Sequence, residues 1–412
     1  MRKKNYLNTI VIGGGQAGLA CGYYLSKAAI DHILIEKNKI ASSWDKTWDS
    51  FSLATPNWMN TLAGLDNKIY AQDVFLTKNQ WHNLLTDYAR KIRTKILEGT
   101  EAIRVCRDKK NKYYIIDTNK GFFLSKNIIF AVGSFHNPHI PWAAKKVGKH
   151  ILQLHSSEYK NKNQVSDNVL VVGSGQSGIQ ISDELNISGK QVFLSTGEVG
   201  WAPRNYRGKD ITEWIDLLGI FDERLPSLTE LDGKFPTNFI LSGANSKETI
   251  DLIKLNKHGV RLFGRLSKIN NNIINFADDL QDNLNYGICI ERRLCQDIDN
   301  YISKNNLNAP KSKPKTTNFN IDTEKRIDLV EKNIKTIIWA TGYEYNYNWI
   351  ELNILDEYGC PVAKNGISPL PGIYFIGLRS SNKIKSGFIY GVNELAKSIV
   401  KHITASTFTK PT

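Results

Sequence analysis

The chain has 412 residues, 41% of them hydrophobic, and carries 54 Lys and Arg against 40 Asp and Glu, a formal net charge of +14. That length exceeds one ordinary core and suits two interlocked domains, and the plentiful Trp and Tyr exclude a disordered chain. The basic surplus does not read as a nucleic-acid surface, because its lysines lie scattered among Asn and Ile rather than in long runs.

In chain order, residues 1–5 lack the apolar stretch of a signal peptide. No segment approaches the ~18 apolar residues of a membrane span. A cytoplasmic chain with no membrane span is therefore expected. A β-forming run, Thr9-Ile10-Val11-Ile12, enters Gly13-Gly14-Gly15-Gln16-Ala17-Gly18 and a helical stretch to Lys27, and the strand Ile33-Leu34-Ile35 then ends at Glu36. A helix is predicted over 81–93, a meander through Tyr113-Tyr114-Ile115-Ile116 and Phe122-Phe123-Leu124, and a strand at 128–131 ending at Val132-Gly133.

The opening pattern then recurs. Val169-Leu170-Val171-Val172 enters Gly173-Ser174-Gly175-Gln176-Ser177-Gly178, a helix over about 179–185, and a strand at Gln191-Val192-Phe193-Leu194. Residues 205–330 read as less regular, with helical patches at 212–218 and 247–255 and a polar surface loop at 311–320. Strands return at 336–340 and 373–376, and a helix at 393–402 closes the chain.

Each copy is a strand, a GxGxxG turn, a helix and a second strand, which is a βαβ unit built for a dinucleotide. The first glycine permits the turn, the second admits the pyrophosphate, the third lets helix pack on strand, and the phosphates sit at the helix N-terminus. Glu36 stands where a carboxylate binds a ribose diol, so the first cradle suits FAD or NAD. The second strand ends in Ser195-Thr196 without a carboxylate, and Arg204 and Arg207 downstream are candidates to clamp a 2′-phosphate, which favours NADPH; nearby Glu198 argues the other way.

The five cysteines, Cys21, Cys106, Cys289, Cys295 and Cys360, form no CxxC pair, which argues against a disulfide reductase. His136 and His139 have ligand-like spacing, but no carboxylate cluster accompanies them and no metal site is expected.

Two βαβ motifs about 160 residues apart, with Ala340-Thr341-Gly342-Tyr343 ending a late strand, resemble the flavin-containing monooxygenase superfamily. Further shared features are Trp44-x-x-x-Trp48-Asp49-Ser50-Phe51, Thr55-Pro56-Asn57-Trp58 and Ala202-Pro203-Arg204-Asn205-Tyr206-Arg207-Gly208. The fingerprint FxGxxxHxxx(Y/F/W) keeps His155 and Tyr159, while Lys149 and Ile151 replace its Phe and first Gly.

The resemblance implies an α/β fold of two Rossmann-like dinucleotide-binding domains, with an NADPH domain (164–330) inserted in an FAD domain (1–163 and 331–412). It assigns Gly13, Gly15, Gln16, Ala17, Gly18, Glu36, Lys37, Trp44, Val105, Gly133, Gly377 and Leu378 to FAD. To NADPH it assigns Gly173, Ser174, Gly175, Gln176, Ser177, Gly178, Ser195, Thr196, Arg204, Arg207, Thr341 and Gly342. Asn57 is a candidate donor near flavin C4a. The implied reaction passes one oxygen of O2, through a flavin C4a-hydroperoxide, to a small molecule. Tyr159 favours N- or S-oxygenation over Baeyer–Villiger oxidation. An NAD(P)H oxidase or dehydrogenase and a non-catalytic flavoprotein sensor stay as alternatives, and a homodimer stays open.

Overall fold

β-Branched runs alternate with helices along most of the chain, and they assemble into two separate, mainly parallel sheets. The computed structural model describes residues 6–408 apart from 109, 111, 136, 227–229, 231–238, 244–247, 313–318, 320, 322 and 379–382. His136, Lys247 and most of the 311–320 loop lie outside the described residues.

The chain opens with β1 (Tyr6–Ile12), α1 (Gln16–Lys27) and β2 (His32–Glu36), followed by α2 (Ser42–Asp45) and α3 (Lys78–Lys91). Strands β3 (Lys95–Glu98), β4 (Ala102–Arg107), β5 (Tyr114–Thr118) and β6 (Gly121–Phe130) come next. The two-residue β7 (Asn137–Pro138) leads to β8 (Leu152–His155) and the second unit, β9 (Asn168–Val172), α4 (Gln176–Ile187) and β10 (Gln191–Ser195). A hairpin, β11 (Asn205–Tyr206) and β12 (Lys209–Asp210), enters α5 (Ile211–Leu217), then α6 (Leu252–Lys257) and β13 (Arg261–Phe263). Strands β14 (Leu266–Asn270) and β15 (Ile273–Phe276), helix α7 (Leu280–Lys304) and β16 (Arg326–Asp328) follow. The chain ends with β17 (Thr336–Trp339), β18 (Tyr343–Glu344), β19 (Ile373–Phe375) and α8 (Ile389–Phe408).

The first sheet runs β3-β2-β1-β6-β5-β4, and β19 pairs in parallel with Ile128, Ile129 and Phe130 of β6. Helices α1, α3 and α8 cover one face through Leu19, Trp81 and Ile399, while Tyr347 and Ile350 cover the other. The second sheet, β13-β10-β9-β17-β8, is parallel throughout. Both of its faces are covered, so all four residues of β17 are buried. The β14-β15-β16 sheet packs against it through Ile274, Phe276 and Ile327.

The insertion topology follows directly, because β1–β6 and β19 build one sheet from the two ends of the chain while the other sheet lies between them. Three expectations change. The domain boundaries move outward from 164–330, since β8 and β17 pair into the second sheet. The middle of the chain is more regular than expected from residue 252 onward: it carries an antiparallel sheet and the 25-residue α7, whose apolar stripe (Leu284, Leu294, Ile298, Ile302) is buried. The helix expected at 247–255 begins only at Leu252, because the Asp251 side chain accepts from the Lys254 N–H and caps it there.

Candidate functional site

The first cradle lies where β1 turns into α1. Gly13 has φ +113°, and a Cβ there would lie 2.4 Å from Ala131 O at the end of β6. A Cβ on Gly18 would lie 1.9 Å from Gly13 O, so only glycine lets the helix settle this close. Gly15 differs: nothing lies within 4 Å of its missing Cβ, so that face is open. Helix α1 has no side-chain N-cap and no acid in its first turn. Its unsatisfied N–H groups and positive dipole end therefore face the opening.

Glu36 closes one side. Its carboxylate accepts from Gly14 N at 2.7 Å and Asn38 N at 2.8 Å, and its remaining lone pairs suit a ribose diol. Lys37 beyond it is exposed. Gln16 takes a hydrogen bond from Trp44 Nε1 at 3.3 Å, which pins the indole beside the first turn of α1. Gly133 and Gly377 both have positive φ (+76° and +80°), and a Cβ on Gly377 would lie 3.8 Å from Ala17 Cβ. Ser134 Oγ donates to Gly377 O at 3.0 Å, joining the ends of β6 and β19, and Leu378 is buried behind them. These residues fit a dinucleotide.

The second cradle repeats the first. Gly173 has φ +106° with its Cβ position 2.5 Å from Ala340 O; the Gly178 Cβ position is 1.8 Å from Gly173 O, and Gly175 is open. Helix α4 likewise has no side-chain cap and no first-turn acid. Ala340, Thr341 and Gly342 follow β17 as Ala131, Val132 and Gly133 follow β6, and Gly342 has φ +85°. Gln176 grips the backbone of Leu241, accepting from its N–H at 3.0 Å and donating to its carbonyl. Ser177 is half-buried in the first turn, and Ser174 Oγ accepts from Gly197 N at 3.0 Å.

Several expected site residues are engaged elsewhere, which corrects their roles. Arg204 is buried; its Nε donates to Asp210 Oδ2 at 2.8 Å, Nη2 to Asp210 Oδ1, and Nη1 to Ala54 O and Ser242 O at 2.9 and 3.1 Å. With its side chain fully buried and Nε, Nη1 and Nη2 all engaged, it offers no face to a phosphate. Arg207 pairs with Asp299 at 2.6 Å. Ser195 and Thr196 are buried, and their hydroxyls donate to Gly264 O and Phe263 O. Asn57 is fully buried, with Nδ2 directed at the carbonyls of Asn67, Tyr70 and Ala71, so it staples a loop rather than facing an open site. Val105 is also buried, its N–H and C=O bound to Trp349 O and Glu351 N, which leaves no backbone group for an adenine. One residue the sequence did not single out does reach the second cradle. Arg265 Nε lies 3.9 Å from the Cβ position of Gly197.

The cradles join through paired strands β7 and β18. Gly342 O beside them accepts from His139 N at 2.9 Å and from His155 Nε2, also at 2.9 Å. His155 Nδ1 accepts from Ser157 N at 3.2 Å, which makes the ring neutral with its proton on Nε2. Tyr159 is buried, and its hydroxyl donates to Glu184 at 2.7 Å; Ser50 binds the same carboxylate. The fingerprint pair thus braces the junction.

Burial holds His155 below the usual value of 6.5, and it does the same to His32. The unfolded chain therefore takes up these protons first, so stability is full above about pH 6.5 and falls as pH drops through the depressed folded values. Denaturant unfolding between about pH 7 and pH 5 should show that loss, with a shallower slope in His155→Gln. Equal slopes would remove His155 from the account.

Residues 10–219, spanning both cradles, match the pyridine nucleotide-disulphide oxidoreductase family. The chain belongs to that family. The oxidoreductase is 30% identical over 404 residues to "Uncharacterized oxidoreductase CzcO" of Bacillus subtilis, covering 96% of this chain and 99% of that protein. It is 29% identical to the CzcO-like protein of Geobacillus kaustophilus, over 97% and 99% of the two chains. Its fold matches a flavin-containing monooxygenase from Stenotrophomonas maltophilia with TM-score 0.67 at 16% identity, covering 98% and 99% of the two chains. Family and fold together bear out the two dinucleotide-binding domains, in a fold that flavin-containing monooxygenases share.

None of the five cysteines forms a disulfide, and burial pushes the Cys21 thiol up to about 12, where it is inert. Among the described residues no helix is long and apolar enough to cross a membrane, and no cluster of three or more metal-ligating side chains occurs.

Proposed function

We propose that the protein is an FAD- and NADPH-dependent monooxygenase that transfers one oxygen atom of O2 to a small soft amine or sulfide, in preference to a Baeyer–Villiger oxidation. The observation that carries this reading is the pair of open, uncapped glycine cradles joined through the β7–β18 pair in a chain whose cysteines form no disulfide. Bound FAD would take a hydride from the nicotinamide and supply the oxygen chemistry.

The protein's part is binding, orientation and exclusion of water. Gly13, Gly15, Gly18 and the first N–H groups of α1 would hold the FAD pyrophosphate, and Glu36 would take the ribose hydroxyls. Exposed Lys37 follows Glu36 at the end of β2 and would stand beside the bound ribose. Gln16 and Trp44 wall the cradle, and Gly133 and Gly377 keep side chains out of the path leading away from Ala17. Gly173 to Gly178 repeat the arrangement for NADPH, with Thr341 and Gly342 at the mouth. Tyr159 acts by positioning: with Ser50 it ties α4 to the segment after β2 through Glu184, fixing one cradle against the other. Support for N- or S-oxygenation comes from the superfamily resemblance at that tyrosine.

The test is oxygen balance in the flavin-loaded protein. Anaerobic NADPH should bleach the flavin, and on mixing with O2 peroxide should appear later than oxygen disappears. Adding a small tertiary amine or thioether should replace peroxide with oxygenated product. Prompt, stoichiometric peroxide under every condition would instead identify an oxidase.

A further inference from the structure

Arg204 is held by Asp210 and Arg207 pairs with Asp299, which leaves room for another group to tell a 2′-phosphate from a 2′-hydroxyl at the second cradle. Strand β10 pairs in parallel with β13, Ser195 opposite Phe263, so the residues that follow the two strands run side by side. The turn after β10 is tied to the glycine turn, because Gly197 N–H donates to Ser174 Oγ at 3.0 Å and Ser174 Oγ contacts Gly197 O at 3.3 Å. A dinucleotide whose pyrophosphate lies on α4 therefore carries its adenosine ribose across Gly197. Arg265 waits there, with Nε 3.9 Å from the Cβ position that Gly197 leaves empty.

The arginine is well placed to receive an anion. Its backbone is fixed, since Arg265 N–H donates to Asp279 Oδ1 at 2.8 Å and Arg265 O accepts from Ala277 N at 2.8 Å. Its side chain is 59% exposed and meets Asp279 Oδ2 only at 3.9 Å, in contrast to the buried, engaged fork of Arg204. A phosphate dianion at this point would outcompete one distant carboxylate, and guanidinium geometry suits it. Exposed Glu198 is the opposing charge in the same turn.

We propose that Arg265, delivered from a strand outside the βαβ unit, is the residue that selects NADPH over NADH by binding the adenosine 2′-phosphate beside Gly197. This rests on the reading of the second cradle as the nicotinamide-coenzyme site. The charge balance of the turn then sets coenzyme preference: Arg265 attracts the phosphate, and Glu198 limits how strongly.

The test uses flavin-loaded protein and two probes that differ by one phosphate, 2′,5′-ADP and 5′-ADP, titrated by calorimetry. Wild type should bind 2′,5′-ADP at least ~10-fold more tightly, from one charge-assisted bidentate contact. Arg265→Gln should bring the ratio near one while 5′-ADP affinity changes by less than about twofold. Glu198→Gln should raise the ratio, an outcome that misfolding cannot mimic. A preference for 2′,5′-ADP that survives in Arg265→Gln, or equal binding of both probes by wild type, overturns the role of Arg265 and leaves the cradle intact. If neither probe binds wild type, the coenzyme site itself is misplaced and both readings fall.

Discussion

Gly15→Val should yield a protein that is folded, as stable as flavin-free wild type and colourless. The backbone at Gly15 has φ −82° and ψ −174°, extended geometry that any residue adopts, and no atom lies within 4 Å of the added Cβ. The side chain therefore costs the fold under about 0.5 kcal/mol while projecting into the space the pyrophosphate needs. Gly13→Val should also lose flavin, but by a different route. Its φ of +113° is hostile to a β-branched residue, and its Cβ would meet Ala131 O at 2.4 Å, so stability falls too, by at least ~1–3 kcal/mol from backbone strain alone. Absorbance of the purified proteins and their thermal midpoints separate the two cases. Full flavin occupancy in Gly15→Val would mean the pyrophosphate does not cross this turn.

Arg204→Ala should be the most damaging substitution among the charged residues, and its effect should be on the fold. The side chain is fully buried, pairs bidentately with Asp210, which is 16% exposed, and bridges to the carbonyls of Ala54 and Ser242. Its guanidinium also lies 4.7 Å from the centre of the Phe75 ring. Removing it takes the counter-charge from a largely buried carboxylate, which keeps only Thr212 as donor, and unpairs two carbonyls, a loss of about 3–5 kcal/mol. For a chain of this size that is roughly 3–6 °C in thermal midpoint. Affinities for 2′,5′-ADP and 5′-ADP should fall together. Lys at this position should not rescue, because an ammonium cannot replace the planar fork. An unchanged midpoint with selective loss of 2′,5′-ADP would restore Arg204 as a phosphate ligand.

The contrast between Arg204 and Arg265 shows what was legible in the sequence. Glycine turns are local: spacing alone placed Gly13, Gly15 and Gly18 on a strand-to-helix corner, and the same rule found Gly173, Gly175 and Gly178. Glu36 was equally readable, because a strand of fixed rise carries it back to the glycine turn. A guanidinium, by contrast, is defined by its partner. For Arg207 that partner is Asp299, 92 residues away. Arg265 was invisible for the same reason, since only the pairing of β10 with β13 brings it beside Gly197. Asn57 was misread because a polar residue after proline looks available until the loop carbonyls that saturate it are placed. Strand β8 escaped notice because four residues with a single fully buried side chain carry almost no periodic pattern.

The way the two sheets share the chain also governs how the molecule can be made. Strand β17 sits between β9 and β8, and β19 adds to β6, so each sheet keeps an open edge until the ribosome has passed residues 336 and 373 respectively. A nascent chain that already contains both glycine turns still lacks Ala340, whose carbonyl backs Gly173. The second cradle thus cannot be shaped by its own βαβ unit during synthesis, and excising residues 164–330 as a fragment would remove two strands of its sheet.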